Sequence, residues 1–371
     1  MINVEHTYSH LCDLTLKAHQ EKFKHPLPLR IQHYDDCYGL PYKVITKRGV
    51  NFVGGGLKTS SNHDVGTLYE FECDDVSQEI LEDVIYVGHI SSICWGHTIT
   101  DSIARLWWII NDAEKNKYAH FPICYFSETP LSNNYLEFIR LLGVPTNNLY
   151  RISQITHFNS VYVPDVCFDN HSVSLKFSNE YVNLINNVIN RCSYCATPQR
   201  IFLARENSCR QVCSNDIKLI LEKKGYVVIY PDKLSVSSQI CLFQNAESIV
   251  AEESSISHNF IFCKEGTKVI ILRKANTINM YQALINQLRN LDVVYIDCHL
   301  SICLDQPHRG PFFLYANDNF CNYFQKKMPT FPYKEFKSYL QNKFGVNILP
   351  HTYRIDSNYK DIIQKIVTNT K

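Results

Sequence analysis

The sequence predicts an α/β protein of two halves, each built on its own sheet. In the second half, short apolar runs alternate with stretches of helical periodicity: RIFLAR at 200–205, YVVIY at 226–230, SIVA at 248–251, KVIIL at 268–272 and DVVYI at 292–296. Strands separated by helix-length segments are the pattern of a parallel sheet. A weaker form of the same alternation runs from 85 to 191. The 371 residues, 45% hydrophobic and 20% charged, have a globular composition and suffice for two domains of ordinary size.

The early chain is the least patterned. Residues 14–23 fit a helix, and 34–53 hold short strand-like pieces. Gly54, Gly55 and Gly56 follow as a flexible turn, without the strand and helix that flank a dinucleotide-binding glycine motif. IYVG at 85–88 reads as a strand. Ile99, Ile103, Leu106, Trp107 and Ile110 then recur at helical spacing and predict one helix over 98–112. His97, Asp101 and Arg105 stand four apart and share the opposite face with Trp108. That face is either solvated, with an Asp101–Arg105 ion pair, or the lining of a cleft.

Strands follow at 121–126, 148–152 and 160–163, with a helix at 135–142 that Gly143 stops and another at 177–191. The segment 193–199 reads as a linker. Beyond it, helices are expected at 215–224, 234–246, 256–262 and 278–289, between the five strands named above. Two closing helices, 333–344 and 358–370, are read as a tail that crosses back to the first domain. The domain boundaries expected are 1–185, 186–330 and 331–371.

Composition narrows the function. A net charge of +1 gives no reason to expect nucleic acid as a partner. No apolar run approaches the roughly 18 residues of a membrane span, and the opening MINVEH lacks the features of a signal peptide. A cytoplasmic location is expected. The fifteen cysteines are odd in number, and Cys94, Cys124, Cys167, Cys241 and Cys263 lie in apolar contexts, so reduced thiols are expected. Cys192-x-x-Cys195 and Cys209-x-x-x-Cys213 approach zinc-ribbon spacing, but the strand at 201–204 fills the gap, so no metal site is assigned.

The chemistry-bearing residues fall after strands, where open α/β sheets bind ligands. Arg205 ends a strand and Arg210 follows in the loop; both suit a diphosphate. Ser254 and Ser255 precede an expected helix whose N–H groups suit an anion. His97 and Asp101 are candidates for a general base, and Glu253 is a second candidate or a ligand for a ribose or sugar hydroxyl. The first half has no Asp-x-Asp at a strand end, which argues against a metal-bridged diphosphate.

Five stretches in order, WGHTITDSIARLW at 95–107, VYVPD at 161–165, RIFLAR at 200–205, LSVSSQICLF at 234–243 and the run 249–262, resemble glycosyltransferase family 61. The resemblance implies a GT-B fold: two Rossmann-like domains with a cleft between them, the first on the acceptor side and the second holding the nucleotide sugar. It implies inverting transfer to a glycan hydroxyl in bacterial capsular or other surface-polysaccharide synthesis. The donor is expected to be UDP- or CMP-linked, with no further cofactor and no metal. The acceptor is expected to be an oligo- or polysaccharide, and the enzyme to act free in the cytoplasm or at the inner face of the membrane, beside a polysaccharide-synthesis complex.

The family's His and acidic pair falls on His97 and Asp101, its arginines on Arg205 and Arg210, and its glutamine on Gln239. His258 and Asn259 match the end of the last motif. Where the family often has Gly-x-His-Gly-Ala, this chain has AEESS at 251–255, with Glu253 at the histidine position. Two other readings stay open on the same fold: a phosphotransferase moving a sugar or polyol phosphate from a nucleotide carrier, and a glycan-binding protein without catalysis.

Overall fold

The structure is a computed structural model. It describes residues 3–7, 12–40, 43–45, 78–170, 175–193, 196–205, 211–275, 279–301 and 312–344. The chain divides into two compact units. The N-terminal unit comprises 22–195 with 235–241; the C-terminal unit comprises 1–21, 196–234 and 242–371.

The chain opens in the C-terminal unit with β1 (Asn3–Thr7) and α1 (Cys12–Gln20). It then builds the N-terminal unit: β2 (Ile31–Leu40), β3 (Lys43–Ile45), β4 (Gln78–His89), α2 (Trp95–Ile99), α3 (Asp112–Tyr118), β5 (Ile123–Phe126), α4 (Asn133–Leu142), β6 (Leu149–Ile152), β7 (Thr156–Pro164), the short β8 (Phe168–Asp169) and β9 (Lys176–Phe177), and α5 (Asn179–Asn190). The sheet order is β3-β2-β7-β4-β5-β6. Four strands, β7, β4, β5 and β6, run parallel, and β2 and β3 add an antiparallel edge. The central strand β4 buries Val84, Ile85, Tyr86 and Val87 in succession, as a strand covered on both faces must. From β4 the sheet grows one way through β5 and β6, and the chain then returns to the other side of β4 as β7. The direction of winding therefore switches between β4 and β7.

The single helix expected over 98–112 is broken. α2 stops at Ile99, and two 3-10 turns follow, Asp101–Ile103 and Trp107–Ile110. Thr100 sits at φ −111°, ψ −94°, outside the helical region. Its hydroxyl bonds back to the Gly96 carbonyl at 2.7 Å and to Asp101 Oδ1 at 2.9 Å, the side-chain competition that interrupts helices. The solvated reading of the polar face does not survive. Trp108 and Arg105 are both buried, Arg105 donating to the Pro164 carbonyl. Burial pulls the Arg105 guanidinium down to about 10, against the neighbouring Tyr86, Asp165 and Tyr34.

The C-terminal unit continues with β10 (Arg200–Leu203), β11 (Gln211–Cys213), α6 (Asn215–Lys223), β12 (Val227–Ile229), α7 (Val236–Asn245), β13 (Ser248–Glu252), β14 (Lys268–Arg273), α8 (Met280–Leu288), β15 (Asp292–Asp297), β16 (His299–Ser301), β17 (Phe312–Leu314), α9 (Asp318–Tyr323) and α10 (Tyr333–Phe344). The first half of α7 groups with the N-terminal unit. The main sheet has the order β1-β15-β14-β13-β10-β12, and every pair is parallel. β12 lies on one side of β10, and β13, β14 and β15 follow on the other, so the winding switches between β10 and β13. One sheet face packs Phe202, Val250, Ile270 and Val294 against α6 (Ile217, Leu221), Leu314 and Phe320.

The helix expected at 256–262 is a 3-10 stretch, Ser257–Phe262. In the tail, Phe336 of α10 packs on Phe313 and Phe331 within the C-terminal unit; the helix expected at 358–370 lies outside the described residues. So do Gly54 to Gly56, Cys195 and Cys209. Cys94, Cys124, Cys167 and Cys263 are free thiols as expected, whereas Cys241 is disulfide-bonded.

Candidate active site

Each unit carries one cluster of the expected residues, and each cluster lies where the winding of its sheet switches. Such points leave a crevice between diverging loops, the common ligand position in open α/β sheets.

In the N-terminal unit the loops after β4 and β7 meet through Asp101 and Asn170. His97 Nδ1 lies 3.1 and 3.2 Å from the two carboxylate oxygens of Asp101. Thr100 Oγ1 donates to Oδ1 at 2.9 Å, and Asn170 Nδ2 donates to Oδ2 at 3.1 Å. The Tyr181 hydroxyl of α5 donates to the carbonyls of Ile99 and Thr100, which fixes the break before Asp101. The two members of the pair differ in access: the Asp101 side chain is 6% exposed and that of His97 34%. A carboxylate accepting from three side chains is an anchor. It accepts the hydrogen bond from Nδ1–H of His97, so Nε2 is the basic nitrogen of the ring.

Sequence reasoning missed three residues here. Asn170 is one. The others are His89, at the end of β4, and Glu128, just past β5. His89 Nε2 lies 3.1 Å from Glu128 Oε1, while Glu128 Oε2 accepts from the backbone and hydroxyl of Ser92 at 3.0 and 3.1 Å. Burial lowers the pKa of His89, opposed by Glu128. Burial pushes the Glu128 carboxyl up, but the bonds from Ser92 and from its own backbone, together with the charge of His89, outweigh it and hold it low. The network ties the loop that carries Cys94 and α2 to the neighbouring strand. Their position at strand carboxyl ends was the available signal.

In the C-terminal unit the loops after β10 and β13 meet through Arg205. Its Nη2 donates to Ser254 Oγ at 3.2 Å and to Ser255 Oγ at 2.7 Å. Arg205 is exposed, so the guanidinium and the two hydroxyls form a polar group open to solvent. The turn behind them is tied internally. Ser257 Oγ accepts from Ser254 N at 3.2 Å and donates to Ser254 O at 2.8 Å, and Asn259 Nδ2 donates to Ile256 O at 3.0 Å. His258 lies 3.3 Å from Asn279 Nδ2 and stacks on Tyr281. A 3-10 stretch of this length supplies no helix N-terminus of the kind expected for an anion, so the polar atoms offered are those of Arg205 and the serines.

Glu253 is buried. Burial raises its carboxyl, against the pull of Arg273 and Lys274. Gln239 is buried on the part of α7 that groups with the N-terminal unit, not with the serine turn. Arg210 lies outside the described residues.

Among the described residues no cluster of three or more His, Cys, Asp or Glu side chains could hold a metal ion, and no helix is long and apolar enough to cross a membrane. No curated protein matches the chain. Residues 95–270, which carry both the His97–Asp101 pair and the Arg205–serine group, match the family model of Glycosyltransferase 61, and this match supports a sugar-transferring enzyme.

Proposed function

We propose that the chain is an inverting glycosyltransferase of the GT-B class, with the N-terminal unit on the acceptor side and the C-terminal unit holding a UDP- or CMP-linked sugar. The observation that carries this reading is the His97–Asp101 pair, in which a buried carboxylate holds Nδ1 and makes Nε2 of the more exposed ring the base. Nε2 takes the proton of an acceptor hydroxyl. The oxygen attacks the anomeric carbon from the face opposite the leaving phosphate, the bond from that carbon to the phosphate oxygen breaks, and the configuration inverts.

The leaving group gains negative charge as that bond breaks. Arg205 and the hydroxyls of Ser254 and Ser255 suit the phosphate oxygens, with Arg210 as a further cation. In this reading those groups, without a metal ion, balance the charge. Glu253, His258 and Asn259 complete the donor side through the packing of the turn. The acceptor is a glycan, and the setting we favour is bacterial surface (capsular) polysaccharide synthesis, in the cytoplasm or at the inner face of the membrane.

The test is thermal shift of the purified protein with UDP, CMP and their sugar conjugates, with and without EDTA. A ligand that binds only the folded state raises the melting temperature by mass action. The expected result is a shift with one nucleotide, insensitive to EDTA. A shift that EDTA abolishes would remove the metal-independent reading. No shift with any of them would remove the donor site.

A further inference from the structure

The turn that leads into α2 holds an isoleucine in water, four residues before His97. Ile93 is 69% exposed, the most exposed large apolar side chain among the described residues. Trp95 follows it, partly exposed. Tyr135 of α4, also partly exposed, stands edge-on to the indole with ring centroids 5.5 Å apart. Buried Phe138 of the same helix supports the indole at 5.6 Å.

A single apolar residue on a surface needs no explanation. Here an isoleucine and two aromatic rings share one turn and the helix beside it, and the turn is pinned on both sides of Ile93. Before it, Glu128 Oε2 accepts from the N–H and hydroxyl of Ser92 at 3.0 and 3.1 Å. Thr129 donates to Ser92 Oγ from its N–H at 2.9 Å and its hydroxyl at 3.0 Å. After it, the Cys94 N–H donates to Ser91 Oγ at 3.1 Å, and the Thr98 hydroxyl donates to the Ser91 carbonyl at 2.8 Å. The backbone therefore presents Ile93 outward in a fixed place, which is the preorganisation a binding surface needs.

The same groups reach the base. Burial raises the Tyr135 hydroxyl to about 12, with Cys94 and Glu128 adding to it, so this hydroxyl is a hydrogen-bond donor at neutral pH. Glu128 bonds His89, and His89 feels the charges of both Asp101 and His97. The apolar surface and the His97–Asp101 pair thus share one neighbourhood at the carboxyl ends of β4 and β5.

Charge narrows the occupant. The segments 89–101 and 127–135 contain no Lys or Arg, and their acidic residues are Asp101 and Glu128. Such a surface has no cation for the carboxylate of an acidic sugar and two carboxylates that repel it. The C–H-rich face of a neutral pyranose suits it better, because those hydrogens meet the negative face of an aromatic ring.

We propose that Ile93, Trp95 and Tyr135 form an acceptor subsite that takes the face of an uncharged sugar ring. The Tyr135 hydroxyl donates to an oxygen at the edge of that ring. This subsite rests on the reading of His97 as the base for a glycan hydroxyl.

The experiment applies the purified full chain, Ile93→Ser and Tyr135→Ala to an array of neutral glycans and of glycans carrying uronic or sialic acids. Each glycan bound is then titrated with acrylamide quenching of tryptophan fluorescence as the readout. Trp107 and Trp108 are buried, so the quencher reaches chiefly Trp95. The wild type is expected to bind neutral glycans, and the bound glycan to protect Trp95. Each variant is expected to bind about tenfold more weakly, the effect of losing a contact of this size.

Equal binding by wild type and variants would overturn the subsite and leave the glycan acceptor standing. Binding of acidic glycans alone would overturn it as well. A wild type that binds no glycan removes both the subsite and the glycan acceptor; sedimentation of wild type against Ile93→Ser then shows whether the patch joins two copies of the chain. The melting-temperature shift with UDP or CMP, measured in parallel, reports separately on the donor site.

Discussion

Asn170 reaches Asp101 across 69 residues of sequence, its Nδ2 donating to Oδ2 at 3.1 Å. The bond joins the loops after β7 and β4, the two strands between which the winding of the N-terminal sheet switches. The carboxylate that orients His97 is thus held from both sides of the crevice, and its role can be separated from that of the base.

Asp101→Asn should leave the fold intact and reduce transfer roughly 10²–10⁴-fold, because an amide no longer fixes the Nδ1 proton. His97→Ala should lose at least as much. Nucleotide release at saturating donor measures both. If Asp101→Asn lost only a few-fold while His97→Ala lost everything, the orienting role would be wrong.

Arg205 makes a contrasting prediction. It is exposed, and among the described residues its side chain bonds to two hydroxyls. Arg205→Ala should change the stability of the ligand-free protein by no more than about 0.5 kcal/mol. Affinity for the donor nucleotide should fall by about 1.5–3 kcal/mol, the worth of hydrogen bonds to a charged group. Calorimetric titration gives the second number. Unchanged affinity would remove Arg205 from the donor site.

Glu137 of α4 caps the start of α7, accepting from the N–H groups of Val236 and Ser237, each at 2.9 Å, and from the Ser237 hydroxyl. Burial pushes its carboxyl up, but the Ser237 and Val236 bonds outweigh burial and hold it below the ordinary value. Glu137→Ala should cost about 0.5–2 kcal/mol, the range for a lost N-cap. For a depressed carboxyl, the stabilisation is present at neutral pH and lost as pH falls through the folded value. Unfolding curves from pH 7 to pH 3 should therefore converge for wild type and Glu137→Gln.

Gly143 ends α4 at φ +98°, and a Cβ there would lie 3.0 Å from Arg191 Nη2 and 3.2 Å from Ile109 Cγ2. Gly225, after α6, has φ +82° and nothing within 4 Å of the same position. Both alanine substitutions should lose about 1–2 kcal/mol from the left-handed backbone. Gly143→Ala should lose more, and the difference in unfolding free energy measures the crowding. Equal losses would mean that Arg191 moves aside without cost.

Much of this was legible because it is local. The runs at 200–203, 248–252 and 268–273 are apolar without alternation, since both faces of those strands are covered, and their boundaries came out within a residue or two. The meeting of His97 and Asp101 was legible for the same reason: they stand four residues apart, and their side chains meet across the break at Thr100.

The helix drawn over 98–112 failed because periodicity counts apolar positions and does not see a threonine hydroxyl bonding back to Gly96. Asn170 and Glu128 were out of reach for another reason. Register and winding bring them in from distant strands, and no spacing in the chain announces it. β1 belongs with these: NVEHT has little of a strand's apolar character, and its partner lies at the far end of the sequence.

That partner has a consequence for how the protein is made. Asn3 pairs with Asp292 and Thr7 with Ile296, so β1 can dock only after β15, synthesised some 285 residues later, exists. At roughly 5–20 residues per second, β1 waits on the order of 15–60 s with its backbone unpaired. The N-terminal unit, 22–195 apart from the segment 235–241, can begin to form in that interval. The C-terminal sheet cannot close until synthesis has passed β15. Residues 3–7 are therefore a natural target for a nascent-chain chaperone, and a substitution that weakens their pairing is expected to act on the assembly of the C-terminal unit.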